Sequence, residues 1–443
     1  MKVETHVLRP AIAAVTCLLL VLAGCLSSQS PAAPGAAPEV AQAGGGGAPL
    51  ANFHRALAAL QAGRAEHMTV LQIGDSHTAG DHFSGRLREL LQQRFGNGGR
   101  GMLPPGSPFP YFRPYQVQVK QEGKWEVMTS NRTDYVQVPY GLSGFVIRAR
   151  NRGDAIRLTA NSETTFDSVD ISYFRQIGGG RIDVTVDGRY AGEIETRGPA
   201  WELDHKVFPV PTGSMTVELR PRGNGPVDIA DWAVYRRERG VVLSSHGFGG
   251  AQVNIMDRWN SRHVQMQLRH MAPALIVLAF GTNEGFDSPG SHADYAAVFE
   301  SRITQLRAMA PSASIVVVGP PDADRLPDYC GIRGGAREST ACRPLAGPEI
   351  EGYSGLLARR DRRLCRWHPP AGLALIREAQ QQVARRTGVL FWDWSSVQGG
   401  ACGATRWAKD ELGRQDRVHM FESGYGLSAE RLFDELMRGF RGR

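Results

Sequence analysis

Ala274-Leu275-Ile276-Val277-Leu278-Ala279 is an unbroken apolar run that stops abruptly at Phe280-Gly281-Thr282-Asn283. A strand with one wet face alternates apolar and polar residues. A run without alternation belongs to a strand covered on both faces, as in parallel sheets flanked by helices. Segments 68–73, 241–244, 315–318 and 389–392 also read as strands. Helical spacing of apolar residues fills 53–61, 81–95, 295–309, 371–386 and 425–440, and Gly96-Asn97-Gly98-Gly99 stops the second of these. A helix is also expected to run from the Gly247-Phe248-Gly249-Gly250-Ala251 turn to about residue 268. Strands alternating with helices predict an α/β fold built on a parallel sheet.

Between 107 and 237 the texture changes. Short alternating segments at 116–119, 125–128, 144–150, 155–160, 168–174, 182–186, 215–219 and 227–235 are separated by turn residues, with Asp187-Gly188 a hairpin signal. This stretch reads as an inserted antiparallel β-sandwich or jelly roll, splitting the α/β domain into 51–106 and 238–443. Its aromatic residues Trp125, Tyr135, Tyr140, Tyr173, Tyr190, Trp201 and Trp232 are candidate platforms for sugar rings, although most are expected in a sandwich core.

Residues 1–24 read as an export signal: Lys2 and Arg9, an apolar stretch too short to span a bilayer, then Leu22-Ala23-Gly24-Cys25. That last motif resembles the bacterial lipoprotein signal, which implies lipid on Cys25 and attachment to a membrane. Residues 25–50, rich in Ser, Pro, Ala and Gly, are expected to form a flexible tether. Four cysteines remain beyond it, Cys330, Cys342, Cys365 and Cys402, and in an exported protein they imply two disulfides of open connectivity. They contain no close Cys-x-x-Cys pair, which argues against zinc. The formal charge of +7 is spread along the chain without a Lys/Arg block, so no nucleic-acid partner is expected. Oligomeric state is not legible.

Four short motifs fall at the carboxyl ends of expected strands or beside the last helix: Gly74-Asp75-Ser76, Gly249-Gly250-Ala251, Gly281-Thr282-Asn283 and Asp416-Arg417-Val418-His419. Acyl transfer to a hydroxyl needs a base, and His419 serves Ser76 in that role, with Asp416 fixing the imidazole tautomer. Negative charge on the tetrahedral intermediate needs donors. The N–H groups of Ser76 and Gly250 and the Asn283 amide are the candidates, with Gly250 expected to permit close backbone approach. His246 and His263 read as structural, and His368 as a loop residue.

These four positions, Ser76, Gly250, Asn283 and His419, resemble the SGNH or GDSL-like hydrolase superfamily. The resemblance implies a flavodoxin-like three-layer α/β/α fold, a Ser-His-Asp triad, no metal and no cofactor. His77 stands where Leu is commonest, and Met420 where Pro is frequent. Gly74-Asp75-Ser76-His77-Thr78-Ala79-Gly80-Asp81 together with Arg94-Phe95-Gly96-Asn97-Gly98-Gly99-Arg100-Gly101 further resembles bacterial peptidoglycan O-acetylesterases carrying an inserted carbohydrate-binding-module-like β-domain. That likeness implies a periplasmic enzyme removing O-acetyl groups from O-acetylated glycan of the cell wall. An O-acetyltransferase of an envelope polysaccharide and a non-catalytic glycan-binding lipoprotein are the alternatives.

Overall fold

The computed structural model describes residues 48–287, 289–330 and 341–442. The signal segment, Cys25 and nearly all of the tether lie outside them. The tether also ends earlier than expected: Leu50 is buried in the apolar core.

Five strands form a parallel sheet in the spatial order Gly240–Gly247, His67–Gly74, Leu275–Ala279, Ser314–Val318 and Leu390–Trp392. The second parallel strand in chain order lies outside the first, and the others follow on the opposite side, the flavodoxin-like winding that places a crevice at the carboxyl ends where the order reverses. Alternate residues feed two cores. Met68, Val70, Leu275 and Val277 face Phe53, Phe83, Leu87 and Leu432, from the helices Ala51–Gln61, His82–Phe95 and Glu422–Met437. Leu71, Ile73, Ile276 and Leu278 face Leu268, Phe299, Ile303 and Ile376, from Ser261–Met271, Tyr295–Met309 and Ala371–Thr387. Unbroken apolar runs arise because both faces of each strand are sealed.

Two antiparallel sheets occupy the span between the first helices and the second parallel strand. One runs Glu202–Ser214, Phe166–Arg175, Val227–Tyr235, Phe145–Ala149 and Glu126–Thr129, with Gly101–Leu103 also paired to Val227–Tyr235. The other runs Val117–Glu122, Ala155–Ala160, Thr216–Pro221, Arg181–Val186 and Arg189–Glu195. Ile156, Leu158, Val184 and Leu219 pack against Val169, Ile171 and Trp232 between them. The outer face of the first sheet, with Phe174, Leu203, Ala230 and Ala233, joins the core under the parallel sheet. Contacts accordingly group all described residues into one unit.

Three local differences from the sequence reading have physical causes. The strand Glu202–Ser214 has no clean alternation and contains Pro209 and Pro211, which cost little because it lies at a sheet edge and pairs only with Phe166–Arg175. The helix expected from the Gly250 turn begins only at Ser261, where the Asn260 side chain caps it by accepting from His263 N; a 3₁₀ segment, Val253–Arg258, precedes it. The helix expected over 81–95 runs unbroken from His82 to Phe95 and starts one residue late, because Asp81 takes a left-handed conformation between the short turn Ser76–Ala79 and the helix.

Asp81 is buried, and its carboxylate accepts from Arg88 at 3.1 Å, Arg100 at 2.6 Å, Ser84 Oγ at 2.6 Å, Ser245 Oγ at 2.8 Å and Tyr115 N at 2.8 Å. Burial would raise this carboxyl, but the two guanidiniums hold it well below the usual carboxylate range. Asp81→Ala leaves two buried guanidiniums without their counter-ion, so urea unfolding should show a loss of about 3–5 kcal/mol.

Candidate active site

The crevice at the strand ends gathers all four motifs. Gly74 pairs with Gly247 on one side and Ala279 on the other, and Asp75 N–H donates to Ala279 O at 3.1 Å. The turns after three neighbouring strands are thereby set side by side. Gly247 must be glycine for room, since a Cβ there would fall 2.0 Å from Ala79 N. At Gly250 the folded chain itself adds a backbone reason for glycine. A Cβ there would meet nothing, but its φ of +73° is one that L side chains rarely adopt.

Ser76 opens the short turn Ser76–Ala79, capped by the Asp75 carboxylate, which accepts from His77 N at 3.0 Å. His419 Nε2 lies 3.0 Å from Ser76 Oγ, and His419 Nδ1 lies 2.8 Å from Asp416 Oδ2. The other Asp416 oxygen accepts from the N–H groups of Val418 and His419, both at 2.9 Å. Burial would raise the Asp416 carboxyl, but these hydrogen bonds outweigh it and hold it at about 2. The imidazole is thus presented with its Nδ1 side toward a carboxylate and its Nε2 side toward the hydroxyl. Asn283, in the helical turn Thr282–Phe286, donates from Nδ2 to Ala251 O at 2.8 Å, which ties its turn to that of Gly250. A primary amide carries two N–H donors, and this bond uses one.

Sequence reasoning missed the support around these residues. His77, fully buried, bonds through Nδ1 to Tyr425 OH at 2.9 Å and packs against the rings of Trp394 and His419. Burial pushes its imidazole down to about 3, so it is neutral there. A polar neighbour in Tyr425 accounts for histidine in place of the commoner leucine. Met420 is buried in the core below.

The long segment after Gly319 braces the histidine loop. Disulfides join Cys330 to Cys365 and Cys342 to Cys402. Asp324, beside Cys342, accepts from Thr405 N and Oγ1 and donates its own N–H to Arg417 O at 2.9 Å, between Asp416 and His419. His368 is buried within this brace and bonds to Tyr353 OH, while His263 bonds to Pro139 O; His246 is buried beside Arg100 and Asp81. The disulfides point to an exported protein. Among the described residues, no helix is long and apolar enough to cross a membrane.

Residues 219–427 match the model of the GDSL-like Lipase/Acylhydrolase family. The chain carries a GDSL-like lipase/acylhydrolase domain. The matched stretch contains Gly250, Asn283, Asp416 and His419, whereas Ser76 precedes it, beyond the antiparallel sheets. Among solved structures, this esterase is similar to one described as "Peptidoglycan O-acetylesterase in action", at 25% identity and a TM-score of 0.68, covering 89% of this chain and 97% of that one. A family two carbohydrate esterase from Clostridium thermocellum in complex with cellohexaose aligns at 13% identity over 73% of this chain and all of that one, with a TM-score of 0.29 that adds nothing to the assignment. No curated protein matches the esterase.

A second buried carboxyl faces the same crevice floor. Glu284 Oε1 accepts from Val253 N at 2.9 Å, and burial raises this acid to about 7; burial likewise lifts Asp75 to about 6. A carboxyl raised above its ordinary value of 4.5 binds its proton more tightly in the folded state. Its contribution to stability is therefore complete below pH 4.5 and is lost as pH rises through 7. Urea unfolding across that window should show the wild type losing about 3 kcal/mol more than Glu284→Gln, whose neutral amide has no proton to release. A difference between the two proteins that does not change with pH refutes the assignment.

Proposed function

We propose that this esterase removes O-acetyl groups from cell-wall peptidoglycan through an acetyl-enzyme on Ser76. The observation that carries the chemistry is the chain of contacts from Ser76 Oγ through His419 to Asp416. The likeness to a peptidoglycan O-acetylesterase over most of both chains supports the substrate class.

In this mechanism Ser76 Oγ attacks the acetyl carbonyl while His419 Nε2 takes its proton, and Asp416 stabilises the imidazolium. The oxyanion is met by the N–H groups of Ser76 and Gly250 and by the second Nδ2–H of Asn283; each such donor is worth about 10²–10³ in rate. Collapse breaks the bond to the sugar oxygen, which leaves with the proton from His419. Water, deprotonated by the same imidazole, then attacks the acetyl-enzyme and frees acetate and Ser76.

The antiparallel sheets are read as an inserted β-sandwich over 107–237 that offers glycan a surface. Tyr140, Tyr173 and Trp232 are buried and unavailable, whereas Tyr190 is exposed. Support comes from a residue the sequence did not single out: Tyr111 is 68% exposed, and its hydroxyl would lie 2.8 Å from a Cβ on Gly249. Asn131 Nδ2 also donates to Gly249 O at 2.8 Å. Export as a lipoprotein, held to a membrane through Cys25 by the 25–50 tether, completes the proposal.

Acetate release from O-acetylated peptidoglycan and from an aryl acetate tests it directly. Ser76→Ala should abolish both, and wild type inactive on both substrates refutes the reading. Acetate transfer to a glycan hydroxyl in preference to water would assign the chain to the acetyltransferases instead. Tyr111→Ala should raise KM for the polymer about 3–10-fold while leaving the aryl acetate unaffected, the size of one aromatic contact.

A further inference from the structure

Away from the crevice, one face of the first antiparallel sheet carries a polar cluster inside an otherwise apolar seam. Strand pairing sets His205, Ser172 and Asp231 in a row across Glu202–Ser214, Phe166–Arg175 and Val227–Tyr235. Asp170, two residues from Ser172, shares that face and is diagonal to His205. The helix Ser261–Met271 lies over this row. Its Gln267 donates to Asp231 Oδ2 at 2.6 Å, and three residues on, His270 Nε2 lies 2.6 Å from Asp170 Oδ2. His205 Nδ1 lies 3.1 Å from the other Asp170 oxygen, and the two imidazole rings are 4.1 Å apart between centroids.

We propose that Asp170, His205 and His270 form a binding site for a zinc-class divalent cation, linking the antiparallel sheet to the helix. Two imidazole nitrogens and one carboxylate oxygen are a donor set suited to zinc, with a fourth position left for water. The three ligand atoms lie within 4.8 Å of one another. Bonds of about 2.0–2.1 Å in tetrahedral geometry require separations near 3.3 Å, within reach of small side-chain rotations.

Burial and exposure also fit. The Asp170 side chain is only 7% exposed, while those of His205 and His270 are 34% and 40% exposed, which gives an ion a route from solvent. One carboxylate held between two imidazoles brings donors together from two strands and a helix. Asp231, buried behind it and fixed by Gln267, keeps the helix in register over the site. Sequence spacing gave no hint, because the three residues belong to separate elements with no short His-x-His interval. The site lies apart from Ser76, and its existence does not depend on the proposed reaction.

Calorimetric titration of the purified, EDTA-treated and dialysed protein with zinc chloride tests this. One equivalent should bind with Kd of 10 μM or tighter, on the order expected for three protein ligands, and the thermal midpoint should rise. His205→Ala and His270→Ala should each weaken binding at least about 100-fold, whereas His419→Ala, which removes the other His-Asp pair, should leave it unchanged. Should either variant misfold, zinc should still protect His205 and His270 of the wild type from carbethoxylation by diethyl pyrocarbonate, read by mass spectrometry. Absence of binding, binding that survives both substitutions, loss with His419→Ala, or failure of zinc to protect these two histidines overturns the proposal.

Discussion

One buried carboxylate holds the surroundings of Ser76 together. Asp81 receives hydrogen bonds from the helix that follows the Ser76 turn, through Ser84 and Arg88; from the neighbouring parallel strand, through Ser245; and from the segment leading into the antiparallel sheets, through Arg100 and Tyr115 N. The five partners come from three pieces of chain, so the carboxylate ties all three to the turn on which Ser76 sits. Its left-handed backbone belongs to the same arrangement, since it turns the chain sharply enough for the carboxylate to face inward while the helix departs. Arg88 also donates to Leu243 O at 2.9 Å, a second tie to the strand that carries Ser245 and leads into the Gly250 turn.

From that knot the geometry of the crevice follows. Gly74, Gly247 and Ala279 stand abreast in the parallel sheet, so the residues just beyond them share one ridge without any long-range device. The histidine arrives differently, on a loop after the last strand. A loop needs bracing that a strand end does not, and here the brace is the disulfide-linked segment, whose Asp324 N–H grips Arg417 O. Backbone N–H groups of the loop in turn hold Asp416 as a carboxylate. Stiffness at the base thus comes from two sources, a sheet on one side and a covalently stapled loop on the other.

Much of this was legible because the relevant physics is local. Apolar runs such as 274–279 mark strands sealed on both faces, and the glycine-containing turns after 73, 247 and 280 mark where those strands stop. Asp187-Gly188 closes the hairpin it suggested, with Val186 opposite Arg189. Features set by tertiary context were not legible. Glu202–Ser214 tolerates its prolines only because it is an edge; the role of Asp81 depends on Arg100 arriving from another segment; and the cysteine pairing depends on how the brace folds. Gly250 carries a second constraint that its sequence does not show, a backbone dihedral angle in the left-handed region. Glu284 and Tyr111 carry no motif, and only their neighbours reveal them.

The contact between His419 and Ser76 closes a separation of 343 residues. A segment that carries only one of the two residues cannot make this contact, so the pair exists only once distant parts of the chain have folded onto one another. Under the proposed mechanism, turnover is in that sense a readout of completed tertiary assembly.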